Sequence, residues 1–129
     1  MQDVRTPLGR VRGLGSAKEG VQHWWVQRLT ALALVPLSLW FIYSMIRLTG
    51  AEHSIVVAWF GHTLNAVLMI VLIATTFHHA QLGLQVVIED YVHHEGRKLA
   101  SIITIKFLAV LLAAAAIFGV LRIALGVNS

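Results

Sequence analysis

The stretch that decides the fold is IVVAWFGHTLNAVLMIVLIATTFHHAQLGL, residues 55–84. It holds no Asp, Glu, Lys or Arg, and its only ionisable groups are His62, His78 and His79. A helix needs about 20 predominantly apolar residues to cross the hydrocarbon core of a bilayer, and this run exceeds that. Two further runs qualify, Leu29 to Ile46 and Ile102 to Val127. The fold class that follows is all-α and integral to the membrane. Transmembrane helices are predicted over 23–46, 55–88 and 99–127, behind a polar arm of residues 1–22. The second is longer than one bilayer thickness, so it tilts or projects. Three helices make little more than a hairpin and a half, so a full bundle calls for a partner chain.

Composition agrees. The chain has 129 residues, which suits one domain. It is 57% hydrophobic and 12% charged, against about 25% charged in soluble domains. Mean hydropathy is +0.75. The lack of cysteine excludes disulfides, thiolate zinc sites and iron–sulfur clusters held by this chain alone. A net charge of +4 would suggest nucleic acid in a soluble protein. Here the basic residues flank apolar spans and report topology instead.

Arg5, Arg10, Arg12, Lys18 and Arg28 lie on one side, joined by Arg97 and Lys98 with Lys106 close by. Arg47 and Arg122 lie on the other. This bias predicts a cytoplasmic N-terminus and 89–98 loop, with the C-terminus across the membrane. Residues 1–22 show no apolar core or cleavage site, so no signal peptide is read there. Gly9, Gly13, Gly15 and Gly20 disfavour helix in the arm, which reads as an extended surface segment or a disordered tail.

Trp24 and Trp25 suit one headgroup belt, Trp40 and Tyr43 the other. Pro36 falls inside the first helix, which membrane helices tolerate. In the third helix Ala109 with Ala113, and Ala115 with Gly119, are small residues four apart that permit close helix packing. Lys106 and Arg122 sit towards its two ends and can snorkel.

Ionisable groups inside a span are costly and therefore candidates for function. His78 and His79 are adjacent, so on a helix they point about 100° apart, and one small ligand engages only one of them. A neutral imidazole is a good axial ligand for haem iron; the alternative is that both are interfacial or hydrogen-bond another helix. Gly83 lies four residues after His79 on the same face. It leaves room for a flat macrocycle or for a packed helix. Asp90 lies eleven residues after His79, which returns within roughly 20° of the same face about 16 Å along. Tyr91 follows. A tyrosine hydroxyl beside a carboxylate can donate to a quinone carbonyl while the carboxylate relays protons; an ordinary interfacial pair is the alternative. Arg28 can clamp an anionic group between helices or snorkel to phosphates. His62 and Asn65 read as packing or polar contacts.

His79-Ala80-Gln81-Leu82-Gly83, six residues, then Asp90-Tyr91 resembles the His-Ala-x-x-Gly … Asp-Tyr motif of the hydrophobic membrane anchor subunit of succinate dehydrogenase, the anchor that pairs with the cytochrome b556 subunit. Val26-Gln27-Arg28-Leu29-Thr30-Ala31 resembles that family's entry into its first helix, and Gly9-Arg10-Val11-Arg12-Gly13-Leu14-Gly15-Ser16 its glycine-rich arm. The resemblance spans the chain's length and three-helix layout. It implies that His79 is an axial ligand to haem b, the second ligand coming from the partner anchor. It implies that Arg28 lies near the haem propionates, and that Tyr91, with Asp90 beside it, binds ubiquinone. His78 departs from the pattern, and the eleven-residue spacing to Asp90 favours His79.

The implied partners are the cytochrome b556 anchor, the iron–sulfur subunit and the flavoprotein subunit, in a bacterial inner membrane with no nucleic acid. Succinate oxidation itself would occur on those other subunits. Within this chain the alternatives are a haem-free membrane scaffold, a fumarate reductase anchor with reversed electron flow, and a small transporter subunit. The last fits poorly, since no internal repeat is apparent.

Overall fold

The computed structural model describes residues 7–8 and 18–127. Four helices follow one another: α1 Lys18–Leu48, α2 His53–Gly61, α3 Thr63–Tyr91 and α4 Glu95–Ala124. Three of them, α1, α3 and α4, are long and apolar enough to cross a membrane. No strand occurs among the described residues. The all-helical, three-span expectation therefore holds.

The boundaries differ in instructive places. α1 begins at Lys18 and includes Gly20, so the end of the predicted arm is helical. One glycine costs about 1 kcal/mol, and helix propagation from an apolar span needs no new nucleus. Arg5, Arg10 and Arg12 lie outside the described residues. α1 then runs through Pro36 without interruption. α4 starts at Glu95 rather than residue 99, because the His94 imidazole caps it by accepting from the Arg97 backbone N–H at 3.4 Å. It ends at Ala124, three residues short of prediction, where Gly126 takes a positive φ of 67°. There Val127 N–H donates to the Arg122 carbonyl and Gly126 N–H to the Ile123 carbonyl. That is the paired closure favoured by a left-handed glycine.

The principal correction concerns the second span. A single helix from residue 55 is predicted, whereas the chain breaks at His62, which is extended with φ −72° and ψ 123°. Gly61 before it is a weak helix former. Asn65 reaches back from the first turn of α3, its amide donating to the Trp59 carbonyl at 3.0 Å. His62 N–H donates to the same carbonyl. The broken turn is thus hydrogen-bonded internally, as apolar surroundings require. Asn65 makes the polar contact anticipated for it, and its consequence is a helix boundary.

α3 is the central helix, packed by α1 and by α4, while α2 leans on α4 and α3. The core lies at one end of the bundle. Ala66, Met69, Leu72 and Val120 are buried there, with Leu34, Leu37, Trp40, Phe41, Trp59 and Phe60 packed around them. Trp40 stacks on Trp59 at 5.6 Å between centroids, joining α1 to α2. Few side chains are buried elsewhere, and among the described residues no large one is buried completely. The outward apolar faces, such as Leu32, Leu39 and Phe107, face outside this chain. At the other end, α3 is regular through Tyr91. At about 1.5 Å per residue its 29 residues outreach the roughly 30 Å hydrocarbon core.

Candidate functional site

At the end of the bundle away from the core, α1 and α3 line a groove of about 520 Å³. That volume falls within the about 300–1,000 Å³ of small-molecule sites. Gly20, His23, Trp24, Gln27, Arg28, Ala31, His79 and Val86 line it. The α1 contributors recur at spacings of three and four, as one helix face must. Among the described residues the groove is lined from α1 and α3.

His79 is half-buried in α3. Its Nδ1 lies 3.0 Å from the Thr30 hydroxyl on α1. That hydroxyl also reaches the carbonyls of Val26 at 2.8 Å and Gln27 at 3.0 Å, within its own helix. Two buried polar atoms in the groove wall, His23 Nε2 and Gln27 Oε1, have no hydrogen-bond partner among the described residues. Burying a polar group unpaired costs about 1–3 kcal/mol. Groups left so in a groove wall mark a place for a bound molecule or another chain.

Arg28 is exposed, with its guanidinium 5.3 Å from the centroid of the Trp24 ring. This contact holds the charge at the groove mouth, where a carboxylate could pair with it. Gly83 faces the same side. Among the described residues a Cβ added there would meet only Gln27 Nε2, at 4.0 Å, so the helix face beside His79 is open to them. Gly83→Ala is accordingly expected to leave thermal stability unchanged or to raise it by up to about 1 kcal/mol through helix propensity. Thermal unfolding in detergent checks this, and a lowered midpoint would mean that the face is closed.

The adjacent histidines part company. His78 is exposed and lines a second groove, between α3 and α4, with Phe77, Gln81, Lys106, Ala109 and Ala113. Ala109 and Ala113, both half-buried, border that groove. Gln81 is buried and donates to Gln85 at 3.1 Å; Gln85 donates to Glu89 at 2.9 Å. Together they form a polar track down α3 towards its last turn.

Because α3 is unbroken from Thr63 to Tyr91, the eleven-residue register from His79 to Asp90 applies along a real helix. Asp90 and Tyr91 do not line the groove. Both are exposed, Tyr91 at 78%, and neither hydroxyl nor carboxylate bonds to a described residue. His62 is exposed at the opposite end of α3.

Sequence reasoning gave no role to His23, Gln27 or Thr30. A signal was present: polar residues at 23, 27 and 30 follow the helical period at the start of an otherwise apolar span.

Over residues 2–121 the chain matches the family of succinate dehydrogenase/fumarate reductase transmembrane subunits. It is 34% identical to the succinate dehydrogenase hydrophobic membrane anchor subunit of Rickettsia bellii (strain RML369-C) over 109 residues, 84% of this chain and 87% of that one. It is 32% identical to the subunit of the same name from Paracoccus denitrificans over 121 residues, 94% and 93% of the two chains. It is 30% identical to the succinate dehydrogenase membrane anchor subunit of Reclinomonas americana over 96 residues, 72% and 80% of the two chains. No solved structure matches.

Proposed function

The chain belongs to the family of succinate dehydrogenase/fumarate reductase transmembrane subunits and is a membrane anchor of the succinate dehydrogenase type, and from that premise we propose that it supplies one wall of a haem b site and part of a ubiquinone site. The soluble partners would be the flavoprotein and iron–sulfur subunits. The second wall would come from the partner anchor, the cytochrome b556 subunit. The membrane is a bacterial inner membrane in this reading, with the N-terminus and the 92–94 connection on the cytoplasmic side, where the soluble subunits dock.

The observation that carries the reading is the groove at His79. The residues suit haem: an imidazole with no partner on Nε2 among the described residues, an arginine at the mouth, a missing side chain at Gly83 and two unsatisfied polar atoms in the wall. His79 would be the axial ligand. Arg28 would pair with a propionate, and Gly83 would admit the macrocycle edge. Haem, when bound, supplies a one-electron centre whose potential its axial ligands and surroundings set.

Tyr91 would donate a hydrogen bond to one carbonyl oxygen of ubiquinone, and Asp90 would hold a proton for the oxygen as it is reduced. Neither side chain bonds to another described residue, which leaves both available for that work. The quinone takes two electrons, delivered by the iron–sulfur subunit, and two protons. Relatives named for succinate dehydrogenase support this direction over fumarate reduction.

The test is purification of the chain, tagged and in its native membrane complex, in mild detergent. Succinate-driven quinone reduction and a reduced b-type spectrum should co-purify with it. Recovery without any succinate-oxidising activity would end the anchor reading; recovery of that activity without the spectrum would leave a haem-free scaffold.

A further inference from the structure

The Thr30 hydroxyl carries one proton and has three acceptor-type atoms within reach: the carbonyl oxygens of Val26 at 2.8 Å and Gln27 at 3.0 Å, and Nδ1 of His79 at 3.0 Å. Two proton arrangements are conceivable. If the hydroxyl donates to His79, its oxygen faces two carbonyl oxygens at hydrogen-bond distance with no proton between them. In surroundings of low dielectric that contact is repulsive. If the hydroxyl instead donates into its own helix, its one proton shared between the Val26 and Gln27 carbonyls, its oxygen is free to accept from a protonated Nδ1, and no oxygen faces another without a proton between them. The second arrangement is the stable one.

We propose that Thr30 is a positioning residue that holds His79 in the Nδ1–H tautomer, through the relay His79 Nδ1–H to Thr30 Oγ1 and Thr30 O–H to the Val26 carbonyl, so that the Nε2 lone pair is the one presented to a ligand. Thr30 touches no reacting atom. It fixes the ring's rotation and protonation from the facing helix, as a hydrogen bond on the remote nitrogen does for metal-bound imidazoles generally. The relay ends on a backbone carbonyl of α1, so it also ties the groove's two walls together. A polarised Nδ1–H makes Nε2 a stronger donor. A stronger donor favours the oxidised metal, so losing the relay should raise the midpoint potential of a metal bound there. This last step rests on the reading of His79 as the haem ligand; the tautomer itself does not.

The test uses the assembled complex with Thr30→Val, which is nearly isosteric but lacks the hydroxyl, Thr30→Ser, which restores it, and His79→Ala. Two quantities are read: the haem midpoint potential, and the 15N resonances of labelled histidine in the reduced complex, with His79 assigned by difference from His79→Ala. Thr30→Val should move the potential upward and shift the His79 Nδ1 resonance towards that of an imidazole N–H without an acceptor. Thr30→Ser should match wild type in both. An unchanged potential and resonance in Thr30→Val, with His79→Ala still losing the haem, would overturn the proposal and leave the ligand reading standing. If instead His79→Ala keeps its haem spectrum, the ligand reading falls and the nitrogen spectrum alone decides. Nδ1–H in wild type giving way to Nε2–H in Thr30→Val then sustains the relay; the same tautomer in both refutes it.

Discussion

His79→Ala should abolish the reduced b-type absorbance of the purified complex, whereas His78→Ala should retain it. The two side chains are neighbours in sequence yet open on different grooves, His79 between α1 and α3 and His78 between α3 and α4. Only His79 has its ring held by a second helix, at Thr30. Removing an outer-shell partner of a metal ligand costs about 10–100-fold in affinity; removing the ligand itself should cost more and leave little haem per complex. Dithionite-reduced optical spectra normalised to flavin content make the measurement. A spectrum unchanged in His79→Ala and lost in His78→Ala would move the ligand to the α3–α4 groove. The cavity left by truncation is small beside a groove that is already open, so the helices should still assemble, and subunit composition by gel provides the control.

Tyr91→Phe should separate the two halves of the reaction. Succinate oxidation measured with a soluble dye acceptor should persist, while reduction of ubiquinone falls about 10- to 100-fold. The estimate takes a hydrogen bond to an oxygen that gains charge as worth about 1.5–3 kcal/mol, with each 1.36 kcal/mol a factor of ten in rate. The phenol is 78% exposed at the end of α3 and bonds to no described residue. Its hydroxyl can therefore be removed without disturbing this chain's own packing, which keeps the comparison clean. Normal quinone reductase activity in the variant would take Tyr91 out of the site.

The sequence and the structure agree where the physics is local to one helix. Three spans follow from apolar length, and the His79-to-Asp90 register follows from helical period once α3 is known to be unbroken. They part where a side chain acts at a distance. The apolar run passes through Gly61, His62 and Thr63 without a change in character, so hydropathy reads one helix. The break depends on Asn65 reaching the Trp59 carbonyl, a contact that composition does not encode. Thr30 is the same kind of case. As a residue it is an unremarked hydroxyl in an apolar span, and its meaning comes from a partner 49 positions away. Asp90 and Tyr91 mark the opposite limit: the motif singles them out, yet their side chains bond to no other described residue.

The core of the bundle is gathered at one end, around Met69, Leu72 and Val120, and a groove opens along α1 and α3 towards the other. A clothes-peg has the same design. Its spring end stays shut while the jaws admit an object from the side. On the proposed reading of His79, a flat, rigid guest would enter edge-on, without prising apart the residues that form the core. Loading and folding would then be separable events.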